Sequence, residues 1–215
     1  MGVKTDVVNI LNDRDCNGIS FKLRNARVSG SRFAAVAAKI NSGDIQVVVV
    51  PGMVDRAKYV YERDTLQVGP SPEADLVIHE AMHAFQDIQR QEVQTIHAEA
   101  CAYVAQCLYI ALKDPTQMLG VNRISQRQRI TSQMTQCTGL NAHCAAAIGS
   151  AAGLVALSLF QGRTPLPSDV SQLYSVISAV PEYAAKPSNV SYDGLNHRFM
   201  STQELQQVHG IVAVN

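Results

Sequence analysis

The sequence predicts an α+β fold in one domain, on three observations. A β-branched run, Ile45-Gln46-Val47-Val48-Val49-Val50, stops at Pro51-Gly52. Two extended stretches, Lys58 to Tyr61 and Thr65 to Val68, flank Glu62-Arg63-Asp64 as a hairpin would. From Ser71 onward the pattern is almost entirely helical. At 215 residues and 23.3 kDa the chain can bury a full core without staples.

Taken in order, residues 1–70 are read as the α/β part: a helix over Arg32 to Ile40, then the strand and the hairpin, forming a small antiparallel sheet. Ser71-Pro72-Glu73 opens the helical part, with Ser at the cap, Pro in the first turn, and Glu73 and Asp75 near the positive end of the dipole. Residues 71–112 hold a pair of helices, 73–90 and 95–112, joined by a short turn around Glu92 to Gln94. Residues 113–215 add helices at 122–136, 142–160 and 168–179, punctuated by Pro115, Gly139 and Pro165-Leu166-Pro167. The tail after Pro181 reads as an ordered loop returning to the body.

Composition narrows the function classes. With 18 basic and 18 acidic residues there is no field to draw the chain onto nucleic acid or an anionic membrane, so neither is an expected partner. Cys16, Cys101, Cys107, Cys137 and Cys144 form no CxxC pair, and reduced, buried thiols are expected. The opening stretch, MGVKTDVVNILNDRDCNG, lacks the basic head and apolar run of a secretory signal, so a cytosolic location or export by a route needing no such signal is expected. Residues 144–160 are uncharged but short of the ~20 residues a membrane span needs, and rich in Ala, Gly and Ser; a buried helix is expected.

The chemistry is concentrated in His79-Glu80-Ala81-Met82-His83, an HExxH pattern. Four residues apart on a helix, two imidazoles project from one face and can share a tetrahedral zinc ion, with Glu80 one step round as general base. Between Leu76 and Gln86 the only polar residues are His79, Glu80, His83 and Gln86, and at 100° per residue they occupy one sector of an otherwise apolar helix. The bland alternative is a pair of satisfied core histidines with Glu80 as their hydrogen-bond partner. Two His and a Glu in this register favour the metal.

A third ligand must come from elsewhere. The positions where a metzincin would carry Gly and His are Gln86 and Gln89, and Asp87 lies about 12 Å along the axis from His79. Glu99 is the only charged side chain between Thr95 and Leu112 apart from the titratable His97, and it shares a stripe with Tyr103, Gln106 and Ile110. A helix returning antiparallel would carry it back toward His83. His97 is the rival, but it points about 200° round the helix from Glu99. Glu99 is preferred, because a carboxylate in so apolar a helix is costly without a cation.

At this point the chain resembles the zincin metallopeptidases, in particular the gluzincin branch, in which HExxH is followed by a Glu on the next helix. The resemblance covers roughly Ile45 to Leu112, about a third of the protein. It implies a zinc-dependent peptidase acting on a protein or peptide substrate, with an edge strand above the metal helix to pair with extended substrate, supplied by Ile45 to Val50 or the following hairpin. It also implies an acidic residue four positions after the glutamate ligand, orienting a histidine. That position is Tyr103 here, so Tyr103 or Gln106 must take the role, or the metal is held less tightly.

An oxyanion donor is expected from outside the metal helices, and the stretch Ser191-Tyr192-Asp193-Gly194-Leu195-Asn196-His197-Arg198 offers Tyr192 and His197, with Tyr192 preferred. The alternative for this stretch is a surface loop with Tyr192 packed and His197 solvated. Two other functions stand beside the peptidase: a helical interaction protein with a structural or degenerate zinc site, and a non-peptide amidase.

Overall fold

The computed structural model describes residues 2–118, 123–134, 140–195, 197 and 199. The fold is α+β, with its strands in small sheets and most of its residues helical. The chain opens with α1 (Val3–Leu11), whose Val7 and Leu11 fall one turn apart and are buried. Next comes the single turn α2 (Arg14–Asn17), capped by the Asp13 carboxylate accepting from the Cys16 N–H. A hairpin follows, β1 (Ser20–Leu23) against β2 (Ala26–Ser29), and then α3 (Gly30–Ser42), which stops where Gly43 takes a φ of 84°.

The expected strand and hairpin form as β3 (Gln46–Val49), β4 (Ala57–Val60) and β5 (Thr65–Val68), but the sheet they build is mixed. Its order is β3-β5-β4, with β4 antiparallel to β5 and β3 parallel to it. The segment 50–56 crosses over the end of β5 instead of folding β4 back onto β3. Gly69 makes this crossing possible, because a Cβ there would stand 2.1 Å from the Met53 carbonyl oxygen. β4 is thereby left at the edge of the sheet.

α4 (Ala74–Ile88) begins after Glu73, not at Ser71, and no side chain caps it. β6 (Glu92–Gln94) stands where only a turn was expected, because the returning tail supplies its partner, β7 (Asn189–Ser191). α5 (Thr95–Lys113) is buried on every side from Ala98 to Ala111 and packs on α4 and on the two later helices α8 (Ala142–Phe160) and α9 (Pro167–Ser178). The short α6 (Pro115–Met118), then α7 (Arg123–Gln133), precede α8, and α10 (Pro181–Ala184) follows α9. The remainder of the expected 122–136 helix, Gly139 and Cys137 lie outside the described residues.

α8 contains the apolar run at 144–160. It is long and apolar enough to cross a membrane by length and composition, and 56% of its most apolar stretch is buried within the fold. Small residues on it, among them Ala145, Ala152 and Ala156, are buried, and the helix packs against α5, α7 and α9. Cys16, Cys101, Cys107 and Cys144 are free thiols.

Candidate metal centre

α4 turns His79 and His83 to one side, and α5 returns antiparallel to bring Glu99 against them. Glu99 Oε2 lies 3.4 Å from His79 Nε2 and 3.7 Å from His83 Nε2. Ligand atoms of the three lie within 4.8 Å of one another, a group that could hold a metal ion. Bonds of ~2.0–2.1 Å in a tetrahedron place ligand atoms ~3.3 Å apart, close to the two distances from Glu99.

The backs of both histidines are held. When Nε2 offers its lone pair to a metal, the proton sits on Nδ1. His79 Nδ1 then donates to Gln106 Oε1 at 3.2 Å, while Gln106 Nε2 donates to Asp75 Oδ2 at 2.8 Å. His83 Nδ1 donates to Tyr192 Oη at 3.2 Å. The acid that the resemblance places directly behind a histidine is here one amide removed, as Asp75 acting through Gln106. Tyr103 plays a different part: its ring packs edge-on against His79 with centroids 4.5 Å apart, and its hydroxyl meets that of Tyr183 at 2.6 Å.

Charge in the triad is coupled. Burial alone would push the Glu99 carboxyl up, but His83, hydrogen bonds from both imidazoles and the Lys186 ammonium hold it well below the usual carboxylate range. Burial opposes a charge on His83, yet Glu99 outweighs it and raises that imidazole. Lys186 Nζ lies 2.9 Å from Glu99 Oε1, the oxygen turned away from the histidines, and 4.6 Å from the Tyr183 ring.

Glu80 lies in the same cleft, which has a volume of about 630 Å³. Its Oε2 accepts from the backbone N–H of Tyr59 at 2.7 Å, so the outer edge of β4 faces the side of α4 that carries Glu80. The Tyr59 hydroxyl in turn donates to Asp87 Oδ2 at 2.7 Å, and the Gly194 N–H donates to Asp87 Oδ1 at 3.0 Å. Asp87 is therefore a clasp between edge strand, α4 and tail. Gly194 can serve it because φ there is 92°, and a Cβ would stand 2.7 Å from Arg90 Nε.

Five of the six expected site residues meet in this cleft: His79, Glu80, His83, Glu99 and Tyr192. His197 does not join them. Its Nδ1 lies 3.3 Å from Asp64 Oδ1, a pair that ties the tail to the hairpin turn, and its Nε2 lies 3.2 Å from Asp193 Oδ2 within the tail. Tyr192 lines the cleft with its hydroxyl turned to His83 Nδ1. His97 points away from the triad, with Nδ1 against the Tyr174 hydroxyl and its ring stacked on Tyr174. Lys186, Tyr59 and Asp75 escaped the reading of the sequence. Asp75 alone carried a local signal, one turn before His79 on the same face. A scan against family models and searches of curated proteins and solved structures found no match.

Proposed function

We propose that this protein is a zinc-dependent metallopeptidase. The observation that carries the reading is the convergence of two imidazole nitrogens and the Glu99 carboxylate beside a second carboxylate, Glu80, in a cleft bordered by the edge strand β4. Two nitrogens and one oxygen make a three-ligand donor set typical of catalytic zinc, with a fourth position left for substrate or solvent. A zinc ion held there would supply Lewis acidity for the carbonyl and acidify water to a pKa of ~7.

The chain's own residues do the rest. Glu80 is anchored through Oε2, leaving Oε1 to take the proton of the attacking water and return it to the departing amine nitrogen. Gln106 and Tyr192 keep Nδ1 of each histidine protonated and both rings turned toward Glu99. β4 is an edge strand with Ala57, Lys58 and Tyr59 on the cleft wall, so an extended peptide would lie alongside it, with the Tyr59 N–H kept for Glu80. Tyr192 serves through His83, not as an oxyanion donor.

Lys186 favours a second reading, a decayed site in which its ammonium replaces the metal on Glu99. Elemental analysis of the purified protein separates the two: the peptidase reading expects about one zinc per chain, the decayed site none. With zinc present, the test is cleavage of a mixed peptide library by wild type and by Glu80→Gln. The variant should keep its zinc and lose roughly 10²-fold or more in turnover, as removal of a general base does. Equal cleavage by both would remove Glu80 from the mechanism.

A further inference from the structure

On the face of α5 opposite the triad, a second pocket of about 510 Å³ opens between the β1–β2 turn, the first turn of α3 and β6. Arg24, Arg27 and Arg32 stand on its wall against a single acid, Glu92. In a chain whose charges cancel overall, three guanidiniums at one pocket are a local excess. Among the described residues none of the three is in a salt bridge.

Two of them are fixed in place. Arg24 Cζ lies 3.6 Å from the centroid of the Tyr174 ring, and Arg32 Cζ lies 4.6 Å from that of Phe85. Stacking settles the plane of a guanidinium and leaves its N–H edge unspent, the fork geometry that suits phosphate and carboxylate oxygens. A second feature points the same way. Gln94 and His97, at the start of the 19-residue helix α5, line this pocket, and the N-cap Gln94 makes no side-chain capping bond. The Thr95 N–H is already donated to the Ser188 carbonyl, so the start of α5 adds the field of its dipole beside the arginines and not that donor.

We propose that this pocket binds the oxyanion of a small molecule, a phosphate or carboxylate group whose remaining atoms fill the space beside β6. Its volume lies within the ~300–1,000 Å³ usual for small-molecule sites, so it can take more than a bare ion. Arg24 and Arg32 are the preset partners, and Arg27, exposed on β2, completes the charge.

The test is titration of the full chain, at constant ionic strength, with inorganic phosphate and separately with succinate, followed by amide chemical shifts. The expected result is saturable shifts at residues 24–27 and 91–94 and none at 79–83, with the tighter probe naming the oxyanion. Arg27→Gln, a change on an exposed strand residue, should raise the half-saturation concentration about tenfold, the effect of losing one charge-assisted contact. The triple change of Arg24, Arg27 and Arg32 to Gln should abolish saturation. The corresponding triple Lys variant keeps the charge but not the fork, should bind with intermediate strength, and carries the comparison if the Gln triple does not fold. Shifts that rise linearly with both probes, or an Arg27→Gln variant that saturates like wild type, would overturn the proposal.

Discussion

Glu99 and His97 are two residues apart on α5, yet they look into pockets of opposite character. The Glu99 side is sealed: His79 is 2% exposed and Glu99 6%, and every donor or acceptor behind the ligands is engaged. The His97 side is open, with guanidiniums laid on aromatic rings and their edges unused. A half-turn of helix therefore separates a place for a cation from a place of excess positive charge. A buried carboxylate among imidazoles must find a cation, whereas arginines open to water, as Arg24 and Arg27 are, can remain unpaired at little cost.

The largest effect should come from the sealed side. His79→Ala or His83→Ala is expected to remove bound zinc altogether after gel filtration, while the phosphate response on the far side persists. Full zinc content in either variant would break the contrast. Next, Glu99→Ala should weaken zinc strongly in a chelator competition and His97→Ala should leave it nearly intact; the reverse ranking would mean that α5 presents its other face to the metal. A smaller change is expected from Gln106→Leu and Tyr192→Phe, each lowering zinc affinity about 10–100-fold by freeing a histidine ring. Should Tyr192→Phe instead spare affinity and cut kcat, Tyr192 would act on the reacting carbonyl.

The smallest effect lies at the tail. Burial opposes a charge on His197, but Asp64 and Asp193 outweigh it and raise the imidazole above its ordinary value. A group raised on folding stabilises below its unfolded pKa of ~6.5, and that contribution fades as pH climbs through the raised value. His197→Ala should therefore lower Tm slightly at pH 6 and not at pH 9, measured by calorimetry. A loss of equal size at both values would point to packing and not to charge.

What could be read from the sequence divides along the same line as distance in the chain. His79, Glu80 and His83 lie within one helical turn, and the 3.6-residue period alone places them on one face. Glu99 needed only a short return, and the isolation of its charge was enough. The sequence left the edge strand open between Ile45 to Val50 and the following hairpin, because strand order depends on the crossing at Gly69 and Met53, which no periodicity records. The partners of the triad were harder still. Lys186 meets Glu99 across 87 residues and Tyr192 meets His83 across 109, and contacts at such separations leave no local pattern. The α1 helix was a different omission: Val3, Val7 and Leu11 do repeat every four residues, a signal present but short.

Those separations also order events during synthesis. Everything needed for the His79, His83 and Glu99 group leaves the ribosome together, but Lys186 follows Glu99 by 87 residues, on the order of 10 s at ~5–20 residues per second. Until β7 pairs with β6, a growing chain has its two histidines without the Tyr192 hydroxyl, and its edge strand without the Asp87 clasp to Gly194. A nascent chain thus holds the raw parts of the cleft well before it can hold them still, and the arrival of the tail acts as a clock on when the finished site exists.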